Sequence, residues 1–390
     1  MSVNKSFNSK EQGIPTTLLN DRSVIQGIFN HIDQKTTDKG DCTWQEPVEH
    51  YTSQKRFELE MNLIRQQYLV YCPSASLVKS GSYNARDLGG VPIVVVRGDD
   101  GQVRAFRNAC RHRGVKVAEG SGRATSFVCP YHAWTYGIDG SLRVVPHEHG
   151  FPKLEKCTRG LVPINCKESQ GLIFVCLQDD NAISDLEMLS AIPTLIPDGY
   201  RIHEESHAEL SANWKIVLES FLEGYHIRST HPRSFYPVQY DNLNIVEKFG
   251  PHSRVTFPYR AIEGLRNKPV SQWTAGTRLT YVYHLFPNII ISTHPGFKAV
   301  ILLEPLAVDK TKQITYIVTD IEPNDAKQVS LLDKAIAVAN SGIDEDRRMI
   351  SSGQEGLAAG ANDYLEFGLF ESAIVHFHST LEQALKLSTK

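Results

Sequence analysis

The sequence predicts an α+β protein with a helical N-terminal segment, a small all-β region and a larger region of mixed helices and strands. Three observations carry that reading. Residues 66–180 hold a succession of short, Val-rich segments separated by turns. Residues 181–390 carry a run of strand-like segments followed by helices, the order expected of an α+β domain rather than of alternating βα units. Residues 1–65 show helical spacing, at Asp21–Ile32 and again over 55–65. At about 150 residues per domain, a chain of 390 residues accommodates two or three domains.

In the all-β region the expected strands are Leu69–Cys72, Gly90–Arg97, Gln102–Asn108, Ser126–Cys129, Leu142–Pro146 and Gly171–Leu177. Gly98-Asp99-Asp100-Gly101 and Asp139-Gly140 are hairpin signals, because glycine accepts the positive φ such turns require. In the third region the clearest helix is expected over Asn213–His226. Trp214, Val217, Leu218, Phe221, Leu222 and Tyr225 recur there at the spacing of one apolar stripe. Thr280–Phe286, Asn288–Thr293, Phe297–Leu303 and Ile314–Ile321 read as strands, and helices are expected from Asp344 and from Glu371 onward.

Composition narrows the function. Apolar residues make up 41% and charged residues 22%, as in ordinary globular proteins. Lys and Arg number 41 against 44 Asp and Glu, a net charge of −3, so no strong field draws the chain to nucleic acid or anionic lipid. Seven Cys are too few, and the wrong parity, for a disulfide scaffold, and they fit a reducing compartment. Met1–Lys10 is polar, and the longest apolar runs, near Pro287–Ile291 and Ala299–Leu303, fall short of the ~20 residues that span a bilayer. A soluble, cytoplasmic protein is expected.

Two constellations carry chemistry. The first is Cys110-Arg111-His112 followed by Cys129-Pro130-Tyr131-His132. Each short pair brings one thiolate and one imidazole from a tight loop, and four such ligands suit tetrahedral zinc or a [2Fe–2S] cluster. Zinc fingers commonly pair Cys with Cys and His with His. Here each loop supplies one of each, which suits a cluster with two Cys on one iron and two His on the other. Zinc remains the alternative, and with it a zinc-stabilised binding protein.

The second constellation is Glu223-Gly224-Tyr225-His226-Ile227-Arg228-Ser229-Thr230-His231-Pro232. At 100° per residue Glu219, Glu223 and His226 share the polar face of the helix. Two His five residues apart converge on one metal only if the helix bulges or breaks between them, and Pro232 disfavours regular continuation. Two imidazoles and one carboxylate form the facial triad of non-haem iron oxygenases, with positions left open for O₂. The carboxylate must come from elsewhere. Glu223 is better placed to accept the free N–H of His226. The best distant candidate is Asp346, in Asp344-Glu345-Asp346, a cluster that by itself reads as the acidic start of a helix.

With these motifs in this order, followed by Gln354 and Gly356, the chain over roughly 45–370 resembles the α (oxygenase) subunit of the Rieske non-haem iron oxygenases. The superfamily includes aromatic-ring-hydroxylating dioxygenases and quaternary-ammonium monooxygenases. The resemblance implies an N-terminal helical segment over 1–65 packed on the catalytic domain. It implies an all-β Rieske domain over 66–180, with Cys110, His112, Cys129 and His132 holding a [2Fe–2S] cluster. It implies a helix-grip, START-like catalytic domain over 181–390, with an antiparallel sheet and a long helix, in which His226, His231 and Asp346 hold a mononuclear Fe(II). Glu223 stands where many members have Asp, the residue that bridges His226 to a Rieske His of a neighbouring subunit; this implies a homotrimer or a multiple of one. There is no GxGxxG after a strand, so flavin and NAD(P)H belong to a separate reductase, with or without a ferredoxin. The implied reaction inserts O₂-derived oxygen into a small organic substrate. It is hydroxylation or cis-dihydroxylation of an aromatic ring, with N-demethylation or monooxygenation of a quaternary ammonium compound as the alternative. A pocket built from about 235–320 is expected. Trp273 and Tyr281 are read as packing residues, although they also offer a cation–π surface. His284 and His294 are read as core or rim residues.

Overall fold

The computed structural model describes residues 18–178 and 186–388. These form two compact units. One holds the described residues up to Leu63, the segment ending at Pro193 and the chain from His203 onward; the other holds Ile64 to 178 and Thr194–Ile202. The expected boundary at 180/181 lies outside the described residues, as does the polar stretch Met1–Lys10.

The smaller unit is all-β. Its seven-stranded sheet runs Tyr68–Pro73, Leu172–Cys176, Pro163–Ser169, Val103–Arg107, Val91–Arg97, Ser82–Leu88 and Gly120–Arg123 in spatial order. A second sheet of three strands, Ser126–Val128, Thr135–Gly137 and Leu142–Val144, carries the second metal-ligand loop. Both expected hairpins form: 98–101 joins Val91–Arg97 to Val103–Arg107, and Asp139-Gly140 joins the last two strands of the small sheet. Phe106 lies against Gly140, whose φ is +83°, and a Cβ there would meet the ring at 2.4 Å. Val94, Val96, Phe106, Phe127, Trp134 and Tyr136 form the core directly beneath the ligand loops.

The larger unit is built on a seven-stranded sheet. Its order is Arg201–Leu210, Lys310–Thr319, Phe297–Ala307, Ile289–His294, Leu279–Leu285, His252–Pro258 and Ile245–Phe249, and its ladders from Lys310–Thr319 onward are antiparallel. The C-terminal helix Ser372–Ser388 packs on the strands Ile245–Phe249 and His252–Pro258. A helix of 32 residues, Ala326–Leu357, packs on the short helix Trp214–Glu219. The N-terminal helix Asp21–Gln34 forms because Asn20 caps it, accepting the Ser23 N–H at 3.1 Å, and because Val24, Ile25, Ile28 and Phe29 fall on one buried stripe. In the same unit, Glu60 accepts hydrogen bonds from Lys215 Nζ at 2.8 and 2.9 Å and from the Trp214 indole at 3.0 Å, all buried. Removing one partner from such a buried pair costs about 3–5 kcal/mol.

Two helix expectations need correction. Asn213–His226 is not one helix: it stops at Glu219, turns through 220–226, and resumes as the single turn Ile227–Thr230. The Glu223 carboxylate takes the backbone N–H groups of Tyr225 and His226, which diverts the chain from helical pairing. Tyr225, placed on the apolar stripe by its spacing, is exposed, and Glu219 turns to Tyr51 and His378 instead of lying with Glu223. The acidic cluster 344–346 does not start a helix either. The helix begins at Ala326, where Asp325 caps Gln328 at 3.0 Å, so the cluster lies in its C-terminal half.

Candidate active site and metal centres

In the all-β unit, Cys110 and His112 occupy the loop after Val103–Arg107, and Cys129 and His132 the loop after Ser126–Val128. Each loop is a tight turn closed by its own backbone. The Cys110 N–H bonds the Val115 carbonyl and the Gly114 N–H the Cys110 carbonyl, both at 2.8 Å. Likewise the Cys129 N–H bonds the Trp134 carbonyl at 2.9 Å and the Ala133 N–H the Cys129 carbonyl at 3.0 Å. Gly114 and Ala133 both take positive φ, 79° and 56°, at the same point of each turn. The thiols are buried and His132 is exposed. The two imidazoles meet edge-on, ring centroids 4.7 Å apart, and His112 stacks on Trp134 at 5.0 Å. Tyr136 ties the first loop down: its hydroxyl lies 3.2 Å from Cys110 Sγ and accepts the Arg111 N–H at 2.9 Å. Burial pushes the Cys129 thiol up and, with His132 and Arg113 nearby, pushes the His112 imidazole down.

The spacing of the donors bears on the choice of metal. A tetrahedral zinc with bonds of about 2.0–2.3 Å holds all its donors within about 4 Å of one another. Among the described residues, only two sets of three or more ligand side chains bring their donors within 4.8 Å, and these four residues are not one of them. Across the loops His meets His at 4.7 Å, and four donors that do not fall in one such set suit a cluster of two irons better than a single zinc. His112 Nδ1 is buried and makes no hydrogen bond, as a ligand atom would be without its metal.

In the larger unit, His226 immediately precedes the helical turn Ile227–Thr230 and His231 immediately follows it. The break in the helix therefore comes before the pair rather than between its members. Asp346 arrives from the long helix. The three donor atoms lie within 4.8 Å of one another, with Asp346 Oδ1 3.0 Å from His231 Nε2 and 3.6 Å from His226 Nε2. The buried His231 Nε2 makes no hydrogen bond even to Asp346. Such spacing without hydrogen-bond geometry fits co-ligands: bonds of about 2.1 Å at right angles put adjacent donors about 3 Å apart.

The other nitrogen of each ring is held by a carboxylate. Glu223 Oε1 takes His226 Nδ1, and Glu345 Oε2 takes His231 Nδ1 at 2.9 Å while accepting from the Ser234 hydroxyl. Burial lowers the His226 imidazole's proton affinity, but Glu223, then Asp346 and Glu371, bring it above the ordinary value. Burial would raise the Glu345 carboxyl, yet Ser234 and His231 hold it below the carboxylate range. Sequence spacing marks Glu345 only as one acid of the cluster and gives Ser234 no role; the structure puts both behind His231. Consecutive residues of a helix point about 100° apart, so Glu345 and Asp346 reach the two nitrogens of one ring only because His231 stands between them. The third clustered acid, Asp344, pairs with Arg347.

The other tight ligand set, Glu46, His50 and Glu382, is already satisfied. Glu46 accepts from His50 at 2.6 Å and from the Trp44 indole at 2.7 Å, and Glu382 accepts from Arg56. It is a structural network.

The three-residue centre opens into a pocket that is partly open to solvent. Its floor is the inner face of the sheet, and its roof is one stripe of the long helix, Ile336, Ala339, Asn340, Ile343 and Asp346. The lining thus extends beyond the expected 235–320 on both sides, to Ser220 and to Asp346. His294 lines it and His284 is buried in the core. Trp273 packs edge-on against Phe29 at 5.1 Å, and Tyr281 donates to Asp21 at 2.7 Å under the Arg254 guanidinium, so both are packing residues.

Residues 67–156 match the family described as Rieske [2Fe-2S] domain, and residues 197–387 that described as Ring hydroxylating alpha subunit (catalytic domain). The chain belongs to the Rieske non-haem iron oxygenases. Its relatives include the carnitine monooxygenase oxygenase subunit of Escherichia coli (strain K12), 29% identical over 365 residues, 88% of this chain and 94% of that protein. They also include the glycine betaine monooxygenase oxygenase subunit of Chromohalobacter salexigens, 32% identical over 212 residues, 53% of this chain and 47% of that protein. The fold is shared with the quaternary ammonium Rieske monooxygenase CntA, at a TM-score of 0.75 and 24% identity over 94% of this chain and 99% of that one. Naphthalene 1,2-dioxygenase from Rhodococcus sp. shares it at 0.72 and 18%, over 95% and 99%. As a Rieske oxygenase this chain is the terminal, oxygen-inserting subunit of a multicomponent system supplied with electrons by a reductase, and it carries a [2Fe–2S] cluster and a mononuclear iron. No helix among the described residues is long and apolar enough to cross a membrane.

Proposed function

We propose that Cys110 and Cys129 hold one iron of the Rieske cluster, His112 and His132 the other, and that His226, His231 and Asp346 hold the mononuclear Fe(II) for monooxygenation of a small organic substrate. The observation that carries the second assignment is His231 Nε2, buried, without a hydrogen bond, and 3.0 Å from a carboxylate oxygen. When bound, the cluster supplies single electrons and the mononuclear iron binds and activates O₂. The protein's part is placement. Glu223 and Glu345 each hold the far nitrogen of an imidazole, fixing its tautomer and aiming Nε2 at the common point. Phe221, Phe235, Phe257 and Phe297 give the pocket apolar walls that displace water from the substrate. Monooxygenation is favoured over dihydroxylation because relatives that span most of the chain are named monooxygenases.

Glu223 would also reach His132 of the partner subunit, and the assembly would be a homotrimer or a multiple of one. A separate flavin/NAD(P)H reductase, alone or through a ferredoxin, would reduce the cluster. Seven free Cys fit the reducing cytoplasm. The test is a single turnover. The cluster is reduced anaerobically and mixed with O₂, and its visible spectrum is followed. Prompt reoxidation that depends on mononuclear iron, and that Glu223→Gln slows at least about tenfold when its mononuclear site is loaded with excess Fe(II) to the parent's iron content, is the expected result. Reoxidation indifferent to mononuclear iron overturns the assignment.

A further inference from the structure

Among the described residues that line the pocket, Asn340 of the long helix is the only exposed one; the others are buried or half-buried. Beside it lies a second cavity, between that helix and Arg201–Leu210, the edge strand of the larger sheet. Glu204, Ser206 and His207 line this cavity from the strand, and Asp344 and Arg347 from the helix. All except the half-buried Arg347 are exposed, and Arg347 is paired with Asp344 at 3.1 Å. The two cavities share three residues: Thr315, Asn340 and Ile343.

These three form the partition between the cavities. Thr315 is its fixed side: it is buried on the strand Lys310–Thr319, and its hydroxyl accepts from the buried Gln313 amide at 3.0 Å. Asn340 and Ile343 are its movable side. They stand three residues apart on the helix and so share one face. An exposed side chain changes rotamer within picoseconds to nanoseconds, so Asn340 can swing clear while the helix backbone stays in place. Outside the partition the walls carry charge and face solvent. Inside, Ile301, Ile317 and Ile336 are buried and the space leads on to His226, His231 and Asp346. A molecule moving inward passes from a charged vestibule to an apolar-walled chamber in one step, and the apolar surface it brings leaves water there.

We propose that this vestibule is the doorway to the mononuclear centre, and that Asn340, closing against Ile343 and Thr315, sets the rate at which organic molecules enter and leave. This rests on the oxygenase reading and adds the route to the same site. A doorway acts on passage and not on the bound state. Obstructing it raises the barrier equally in both directions, so association and dissociation slow by one factor and Kd, their ratio, is kept.

Ligand binding at the metal tests this apart from turnover. Protein loaded with both metals has its mononuclear iron oxidised to Fe(III). The adjacent positions that a facial triad leaves open take catechol, which colours ferric iron by charge transfer, or the much smaller azide. Stopped-flow absorbance follows each ligand on and off. Asn340→Trp should slow both steps for catechol at least about tenfold with Kd kept within about threefold, and slow azide, which needs only a narrow gap, by less than about twofold. If that variant does not load iron, Ser206→Trp, on the strand side of the vestibule, takes its place with the same expectation. Failure of catechol to colour the parent's iron overturns the oxygenase reading, and the doorway with it. Where the parent binds catechol, unchanged catechol rates in the variant, a change carried by Kd, or equal slowing of azide overturns the doorway alone.

Discussion

The two metal centres are built by opposite strategies. The Rieske loops take all four ligands from the 23 residues between Cys110 and His132, and each loop is closed by backbone hydrogen bonds that need no distant partner. The mononuclear centre joins residues 120 positions apart, and its geometry depends on side chains holding side chains: Glu223 on His226, and Glu345 with Ser234 on His231. The first is a local motif set on a small sheet. The second exists only when a long helix is docked over another sheet. Damage should therefore be contained in the first case and graded in the second.

The largest effect is expected from Cys129→Ser. With one of two buried thiols gone, acid-labile sulfide and the visible spectrum should be lost outright, while mononuclear iron content stays near that of the parent. Loss of both metals together would show that the centres are not independent. Next comes Asp346→Ala, which should empty the mononuclear site and leave the cluster spectrum unchanged. If iron analysis finds that site full, the carboxylate ligand lies elsewhere. Glu345→Gln keeps a hydrogen-bond acceptor for His231 but removes the charge, and should weaken iron binding by about 10–100-fold, read by competition with a chelator. An unchanged affinity would reduce Glu345 to a packing residue.

The smallest expected effect concerns the core beneath the larger sheet. Burial, and after it the neighbouring imidazoles, pushes His252 down to about 3; burial pushes His284 down to about 4. Both folded values lie below the unfolded value of about 6.5, so below pH 6.5 the unfolded chain binds more protons and stability falls as pH falls. The loss should set in below about pH 6.5 and level off once the folded histidines themselves take protons, near pH 3. In His252→Asn, the amide oxygen can still accept the Phe286 N–H, as His252 Nδ1 does at 3.0 Å, and the slope should become shallower. A slope unchanged by that variant would place the acid sensitivity elsewhere.

The same contrast explains what could be read from the sequence. Cys-x-His and Cys-x₂-His are legible because the ligands and the turns that present them are neighbours. His226 and His231 were legible as a pair, but the helix beneath them was not. Periodicity saw the apolar stripe from Trp214 to Leu222 and had no way to register a Glu223 carboxylate competing for the backbone. Asp346 stood out as an acid among acids, but its cluster imitated a helix start. The spacing of Ile336, Ala339, Asn340 and Ile343, which runs on to Asp346, was the signal that the helix began earlier. Several strands escaped for one reason. Ser82–Leu88 and Arg201–Leu210 are largely polar and only partly buried, and His252–Pro258, though buried throughout, carries His, Ser, Arg and Thr. The partners that satisfy those groups come from remote chain, such as Glu247 and the Leu19 carbonyl for Arg254.

The four-residue turn between His226 and His231 sets a discrete rule for variation in this chain. Inserting or deleting one residue there would rotate the second imidazole by about 100° and carry it out of the pocket, whereas a whole additional turn would restore its bearing but move it about 5 Å along the axis. Neither gives the same centre. Sequence drift can alter what surrounds this segment, but its length is locked.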